Sequence, residues 1–381
     1  MKITKDIYFI MPGLDLFPIG GYKVIYEMAN RLAADGFNVA IILPCFLSTA
    51  KKTSLKRCCG ALYYYAKAIL KIKKCPWFNL DERVKRIYVF SDYNIKIPEG
   101  AFVCATAIET AFALNKINSK TGFKKYKNLY YIQGFENWVF SDAEVYESYR
   151  LPFTKVAISR WLCEKISNPP AALNGGGEEK AVLVPNGFNF SEFSLQSPIE
   201  NRDANVVCML YHGAPVKDCA CLIEALSLVK KEFPALRVNV FGTPGRPDFL
   251  PPWFMYFQKP DNITHNRIYN EAAVFAAASR IEGFGLTVGE AMICGCAVAC
   301  TECPGFKDMI IHNKTGLMSP VGDAAALAVN IKKLMTDGVL RETLAKAGNE
   351  YIKKFTWDAS YKIFKSVLAD VDSAAVYPPV R

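Results

Sequence analysis

No uninterrupted apolar run in this chain of 381 residues approaches the roughly 18 residues that a helix needs to cross a bilayer. A helical membrane span is therefore not expected. The opening stretch, MKITKDIYFIMPG, does not read as a secretory leader, because Asp6 interrupts it and Pro12-Gly13 stops the apolar run after a strand's length. A cytoplasmic location is the expectation. Also missing are a G-x-G-x-x-G fingerprint, a Walker loop, an H-E-x-x-H pair and a G-x-S-x-G elbow. Their absence leaves no local signature for dinucleotide oxidoreductases, P-loop NTPases, zinc peptidases or serine hydrolases. What remains is ordinary for a folded protein: 51% hydrophobic and 22% charged residues, enough for two domains with separate cores.

Cysteine is not scarce. Thirteen are present, scattered through apolar segments, a pattern of reduced, buried side chains rather than of a disulfide framework. Cys294, Cys296, Cys300 and Cys303 fall close together and raise a zinc or iron–sulfur reading. A helix end, Gly295 and a strand between them would point these thiols in different directions, and no bound metal is expected.

The net charge of +10 is uneven. Residues 51–86 carry eleven Lys or Arg against Asp81 and Glu82, a local balance of +9. Within 51–78, Leu55, Cys58, Leu62, Tyr65, Ile69 and Ile72 share one helical face, and Lys52, Lys56, Lys67, Lys71 and Lys74 the other. A core-packed helix with a solvated Lys face fits this pattern. An interfacial helix on an anionic membrane fits it too, and is favoured by the aromatic residues Tyr63, Tyr64, Tyr65, Trp77 and Phe78. A non-catalytic protein that binds nucleic acid or another anionic surface is the rival function. It lacks any nucleic-acid motif, and no nucleic-acid partner is expected.

Strand and helix patterns alternate along the chain. DIYFIM (6–11) is a strand, Gly20-Gly21 precedes a helix with Val24, Met28 and Leu32 on one face, and VAIIL is the next strand. LYYI (129–132) leads into Gln133, Glu136 and Trp138. Ser159 is a candidate N-cap. A polar stretch near 190–203 separates domains at 1–195 and 196–355. The second domain opens as strand, loop with His212 and Lys217, helix, strand.

The most informative stretch is 271–300. AAVFAAAS reads as a buried strand, Glu282-Gly283-Phe284-Gly285 as a turn, and the residues from about Thr287 as a helix ended by Gly295. Glycines in such a turn let backbone N–H groups approach a phosphate at a helix N-terminus. Glu282 and Glu290 bracket the turn. Thr287-x-x-Glu290 is also a capping box, which would account for Glu290 without a ligand.

This E-x7-E pattern resembles that of the retaining glycosyltransferases of family 4, and weaker likeness runs through most of the chain. The resemblance implies an α/β, GT-B fold: two doubly wound Rossmann-like domains facing a central cleft, with a helix at 356–381 crossing back to the first. It implies transfer of a hexosyl or deoxyhexosyl group, with retention, from a nucleotide-diphosphate sugar to a hydroxyl of a glycan or lipid-linked acceptor. The setting would be synthesis of cell-envelope or surface polysaccharide, peripherally at the cytoplasmic membrane face. Carried over to this sequence, Glu282 faces the donor sugar and the amides of Gly283, Phe284, Gly285 and Leu286 face the diphosphate. Glu290 binds the ribose, and Gly20-Gly21 lies under the phosphates or the acceptor. Lys217 stands at the family's diphosphate-binding Lys. His212 stands where an Arg is usual, and Gln133 where many members place a His at the reaction centre. The Gln133-Gly134-Phe135-Glu136 version is similar to that of rhamnosyl-transferring members. No cofactor or metal is implied.

Overall fold

The computed structural model describes residues 5–16, 18–50, 65–66, 75, 77–122, 125–173 and 179–376. The chain contacts divide it into two units, residues 1–186 with 357–381, and residues 187–356.

In the first unit the strands are β1 Asp6–Ile10, β2 Asn38–Phe46, β3 Lys85–Ser91, β4 Phe102–Ala105, β5 Lys127–Ile132, β6 Thr154–Ala157 and β7 Ala181–Leu183. They form one parallel sheet in the order β3-β2-β1-β4-β5-β6-β7. Helices α1 Gly20–Ala34, α2 Ile108–Thr121, α3 Asp142–Tyr149 and α4 Arg160–Ser167 alternate with the strands. Helix α1 buries Val24, Met28 and Leu32, as the spacing requires, and ends at Asp35 before Gly36 at φ 80°. Gly20 and Gly21 are its first two residues rather than a loop ahead of it. Ser159 does sit at the N-cap of α4, yet its hydroxyl makes no capping bond.

Helix α10, Trp357–Val376, returns from the far end of the chain to this unit. Phe364 packs against Phe9 and edge-on to Tyr131. Arg31 pairs with Asp358 at 2.9 Å, and Lys365 with Asp35 at 2.5 Å.

Behind the β1–α1 connection lies a buried polar knot. Asp15 is fully buried and accepts from Tyr26 Oη at 2.9 Å, Arg86 Nη1 at 3.0 Å and Tyr88 Oη at 3.1 Å. Trp77 Nε1 donates to the Asp15 carbonyl, and its ring stacks on Tyr26 at 5.6 Å, with Phe78 edge-on to the same ring. This corrects part of the reading of residues 51–78: Trp77 and Phe78 are half-buried on α1 and are not available for insertion into a surface. Two of the eleven cations in 51–86 are also paired, Arg86 with Asp15 and Arg83 with Asp81. The remainder of the 51–78 segment lies outside the described residues, apart from Tyr65, Ala66 and Cys75.

In the second unit the strands are β8 Val206–Tyr211, β9 Arg237–Gly242, β10 Phe254–Gln258, β11 Val274–Ala277, β12 Ala297–Thr301 and β13 Leu317–Ser319. The helices are α5 Cys219–Glu232, α6 Asn262–Glu271, α7 Leu286–Ile293, α8 Ala324–Thr336 and α9 Gly338–Ile352. The sheet is again parallel, in the order β10-β9-β8-β11-β12-β13. Val207, Met209, Leu222, Leu226, Val240 and Ile331 belong to its core, between the sheet and α5 and α8.

Both sheets grow outward for three strands, then jump back to the other side of their first strand. This doubly wound order opens a crevice at the carboxyl ends of β1/β4 and of β8/β11, where ligands of such sheets bind. Among the described residues no helix is long and apolar enough to cross a membrane.

Candidate active site

The β8/β11 switch point gathers the chemistry expected of the second unit. β8 runs out at Tyr211 into His212 and a 3-10 turn, Pro215–Lys217; Asp218, at φ 44°, then starts α5. β11 runs out into Ser279-Arg280-Ile281-Glu282. The two loops are stitched together by Arg280 N donating to Val216 O at 2.8 Å and by the Arg280–Asp218 pair at 2.7 Å.

The result is that Lys217 Nζ lies 2.5 Å from Glu282 Oε1, with both side chains mostly buried. Ser279 Oγ donates to the same oxygen at 2.8 Å, and Thr301 holds the Ser279 carbonyl. Both bonds end on Oε1, which leaves Oε2 to accept from a ligand. Lys217 has three N–H donors, so two are left for an anion.

The turn that follows is shaped by close approach. A Cβ on Gly305 would meet the Glu282 carbonyl at 2.4 Å, and Gly285, at φ 92°, has Phe306 where a Cβ would sit. Gly285 is the N-cap of α7 and offers no side-chain capping bond, so the helix's positive end lies at this turn. Phe284 is 2% exposed and packs near Phe188 and Phe355, so only its backbone is offered to a ligand.

The capping-box reading of Glu290 is overturned. Because α7 starts at Leu286, Thr287 is inside the helix. Glu290 instead accepts from Tyr269 Oη at 3.3 Å and is 8% exposed. Burial, and then Glu290, push the Tyr269 phenol well above its usual range, so Tyr269 stays a donor to the carboxylate.

His212 Nδ1 accepts from Ala214 N at 3.0 Å, which leaves Nε2 as the donor of a neutral ring. Burial, then Lys217, hold its pKa below the usual histidine value, against the pull of Glu282. Where an Arg would bring a permanent fork, this position brings one N–H.

The first unit has a cavity of about 310 Å³ at the carboxyl ends of β1, β4 and β5. Gly21, Thr106, Gln133, Glu136 and exposed Trp138 line it. Gln133 Nε2 donates to Thr106 O at 3.4 Å, while its buried Oε1 has no partner among the described residues. A Cβ on Gly21 would lie 3.2 Å from that oxygen, so the glycine keeps the amide accessible. Glu136 accepts weakly from Ile108 N, and burial raises its pKa to about 8, with Glu109 adding to the effect. The shift favours the protonated form, which can donate as well as accept.

Ser279, Tyr269, Thr106 and Glu109 were not singled out by the sequence motifs. Ser279 lies two residues and Thr106 one residue past a strand end, which is the one local sign that marks them. The neighbouring cysteines do not converge. Cys294 Sγ bonds Asn266 and Cys296 Sγ bonds the Tyr269 carbonyl, and among the described residues no three metal-ligating side chains cluster.

Two doubly wound parallel units, each with a polar crevice at its switch point, define the GT-B class of fold. Over its length the chain is similar to sucrose-phosphate synthase from Thermosynechococcus elongatus, with a TM-score of 0.73 at 17% identity, covering 97% of this chain and 100% of that one. Anabaena HepE, solved with UDP and glucose, gives 0.69 at 15% identity over 97% and 100% of the two chains. Residues 191–351, inside the second unit, match the family described as glycosyl transferases group 1.

The phosphatidyl-myo-inositol mannosyltransferase of Mycobacterium tuberculosis is 26% identical over 191 residues, 46% of this chain and 50% of that protein. The capsular polysaccharide biosynthesis glycosyltransferase CapM of Staphylococcus aureus is 30% identical over 239 residues, 56% of this chain and 62% of that protein. The chain thus spans about half to two thirds of the length of these curated relatives.

Proposed function

We propose that the protein is a glycosyltransferase. It moves a hexosyl or deoxyhexosyl group from a nucleotide-diphosphate donor to an acceptor hydroxyl, with retention, in cell-envelope glycan or glycolipid synthesis. The observation that carries this reading is the Lys217–Glu282 pair beside the uncapped start of α7, inside the segment that matches the family.

The physical task is to stabilise the departing diphosphate. Lys217, the amides from Gly283 to Leu286 and the α7 N-terminus face it with positive charge. Glu282 Oε2 orients a sugar hydroxyl, Glu290 the ribose diol, and His212 Nε2 adds one donor. Gln133, with Gly20-Gly21 beside it, serves the acceptor side of the reaction, where the names of the relatives point to glycan or lipid-linked acceptors. Because Lys217 and the helix supply the positive charge, transfer is expected to survive EDTA.

A panel of UDP, GDP and dTDP sugars in a thermal-shift assay tests the reading. A true donor at 100 times its dissociation constant stabilises by about 2.7 kcal/mol. The anomeric configuration of the product then tests retention. A protein that no nucleotide sugar stabilises, and that binds oligonucleotides in a strongly salt-dependent way, would be the rival anionic-surface binder instead.

Glu290→Gln is expected to keep the Tyr269 bond and the fold while weakening nucleotide binding by about 1.5–3 kcal/mol, the worth of a hydrogen bond to a charged group. Isothermal titration checks this. Unchanged affinity would mean that Glu290 serves α7 and Tyr269 alone.

We also propose that the lysine-rich part of residues 51–74 holds the protein to anionic membrane. Each Lys near such a surface contributes about 1 kcal/mol. Sedimentation with phosphatidylserine vesicles but not with neutral ones, reversed by high salt, is expected. Replacing Lys67, Lys71, Lys73 and Lys74 with Gln should weaken it and spare donor hydrolysis. Wild-type protein that ignores the anionic vesicles at low salt ends this idea.

A further inference from the structure

A cavity of about 540 Å³ lies away from the Lys217–Glu282 crevice. It is a half-open groove at the other end of the second unit's sheet, where β8, β9 and β10 begin and α6 ends. Its lining comes from Val206, Val238, Asn239, Trp253 and Met255, the end of α6 at Asn270 and Glu271, and the segment from Ser197 to Asp203. Its size falls within the roughly 300–1,000 Å³ of small-molecule sites.

Asn239 is the informative residue. It is the third residue of β9, in register with Cys208 and Met255, so the three side chains share a face of the sheet. It is 6% exposed, it lines the groove, and its side-chain amide has no hydrogen-bond partner among the described residues. Its amide is not fully enclosed, so it opens onto the groove and can meet a ligand there. Valine or isoleucine is the ordinary choice for such a position.

The charges around it are already spoken for. Arg202 donates to the carbonyls of Ser197, Tyr269, Ala272 and Cys294, sealing the ends of α6 and α7. Arg237 pairs with Asp203 at 2.7 Å, and Glu271 lies 3.6 Å from Arg267. Two cations and two anions line the groove, so it favours neither sign. What it does offer is a neutral donor–acceptor amide next to an indole and the thioether of Met255, which is 59% exposed.

We propose that this groove is a second binding site, distinct from the donor crevice, for a neutral saccharide chain. A vicinal diol donates to the Asn239 carbonyl oxygen and accepts from its N–H, while the C–H faces of the sugar lie on Trp253 and Met255. Net neutrality discriminates against nucleotides and phosphorylated ligands. The open side along edge strand β10 lets a longer chain run past. The choice of a saccharide agrees with the proposed function, but the site's geometry does not depend on where transfer takes place.

The test uses the full chain with maltotriose, cellotriose and mannotriose as probes, followed by saturation-transfer NMR and titration calorimetry in the presence of saturating UDP. At least one trisaccharide is expected to bind at or below about 10 mM, a weak affinity in keeping with an open groove. Asn239→Leu, of similar volume, should lower that affinity by about tenfold or more, equivalent to 1.4 kcal/mol. The same variant should keep Tm within a few degrees, because the amide makes no hydrogen bond to another described residue, and UDP binding should be unchanged. Trp253→Ala should lose trisaccharide binding as well.

Three results would overturn the proposal. The first is wild-type protein that binds none of the probes, including one that buries the groove against a second copy of itself. The second is trisaccharide binding that UDP displaces or that Asn239→Leu leaves intact. The third is a marked fall in Tm for both Asn239→Leu and the milder Asn239→Ser, which would give the amide a structural role. Wild-type protein that no UDP, GDP or dTDP sugar stabilises would refute the proposed function instead, and the two failures are therefore distinguishable.

Discussion

Lys217→Ala is expected to lower kcat for sugar transfer by about 10²–10³, the effect of removing one preorganised electrostatic group from a reaction centre. Two consequences combine. The leaving diphosphate loses a charge-assisted donor, and Glu282, mostly buried and 2.5 Å from the lysine, loses its counter-charge. The unpaired carboxylate is then expected to repel the donor's diphosphate. Binding of a free nucleoside, which has no phosphate, should change little, whereas binding of the nucleoside diphosphate should fall. Lys217→Arg should recover part of the binding, but a guanidinium fork does not reproduce a compact ammonium bonded to one carboxylate oxygen. Steady-state kinetics and titration with nucleoside and nucleoside diphosphate separate these effects. Equal losses for both ligands would place Lys217 away from the phosphates, and an unchanged kcat would remove it from the reaction centre.

The second large effect concerns stability rather than chemistry. Asp15→Ala should destabilise the first unit by about 3–5 kcal/mol, the cost of stranding one partner of a buried ion pair. Asp15 is fully buried, and Arg86, with its side chain 7% exposed, would keep a charge that water does not reach. Tyr26 and Tyr88 would lose their acceptor at the same time. Asp15→Leu combined with Arg86→Leu should recover most of the loss, since no buried charge then remains. Urea denaturation followed by tyrosine and tryptophan fluorescence measures both variants. A loss below about 1 kcal/mol for Asp15→Ala, in the range of an exposed pair, would show that Arg86 finds water or another partner.

Much of this architecture was legible because it is local. The spacing of Val24, Met28 and Leu32 specifies one buried face of α1 whatever lies beneath it, and Asp35-Gly36 ends the helix by its own backbone preference. The turn from Glu282 to Gly285 and the helix behind it follow from glycine chemistry within a few residues, and the structure has Gly285 in the left-handed region. Alternation of strand and helix patterns dictates parallel sheets, since parallel neighbours need a crossover.

Other features could be decided only by the way distant segments meet. Lys217 and Glu282 are 65 residues apart and touch because β8 and β11, not consecutive in the chain, are neighbours at the point where strand order reverses. Thr287 and Glu290 have capping-box spacing, but α7 begins one residue earlier and Tyr269 from α6 takes the carboxylate. Trp77 and Phe78 look like surface anchors until Tyr26 and Asp15 engage them. Asn239 is indistinguishable from any strand residue until the groove beside it leaves its amide unpaired. The physical reason is common to all four. Propensity, capping and turn chemistry act over a few residues and are written in the sequence, whereas the pairing of polar groups depends on which strands and helices become neighbours, and that is settled by tertiary packing.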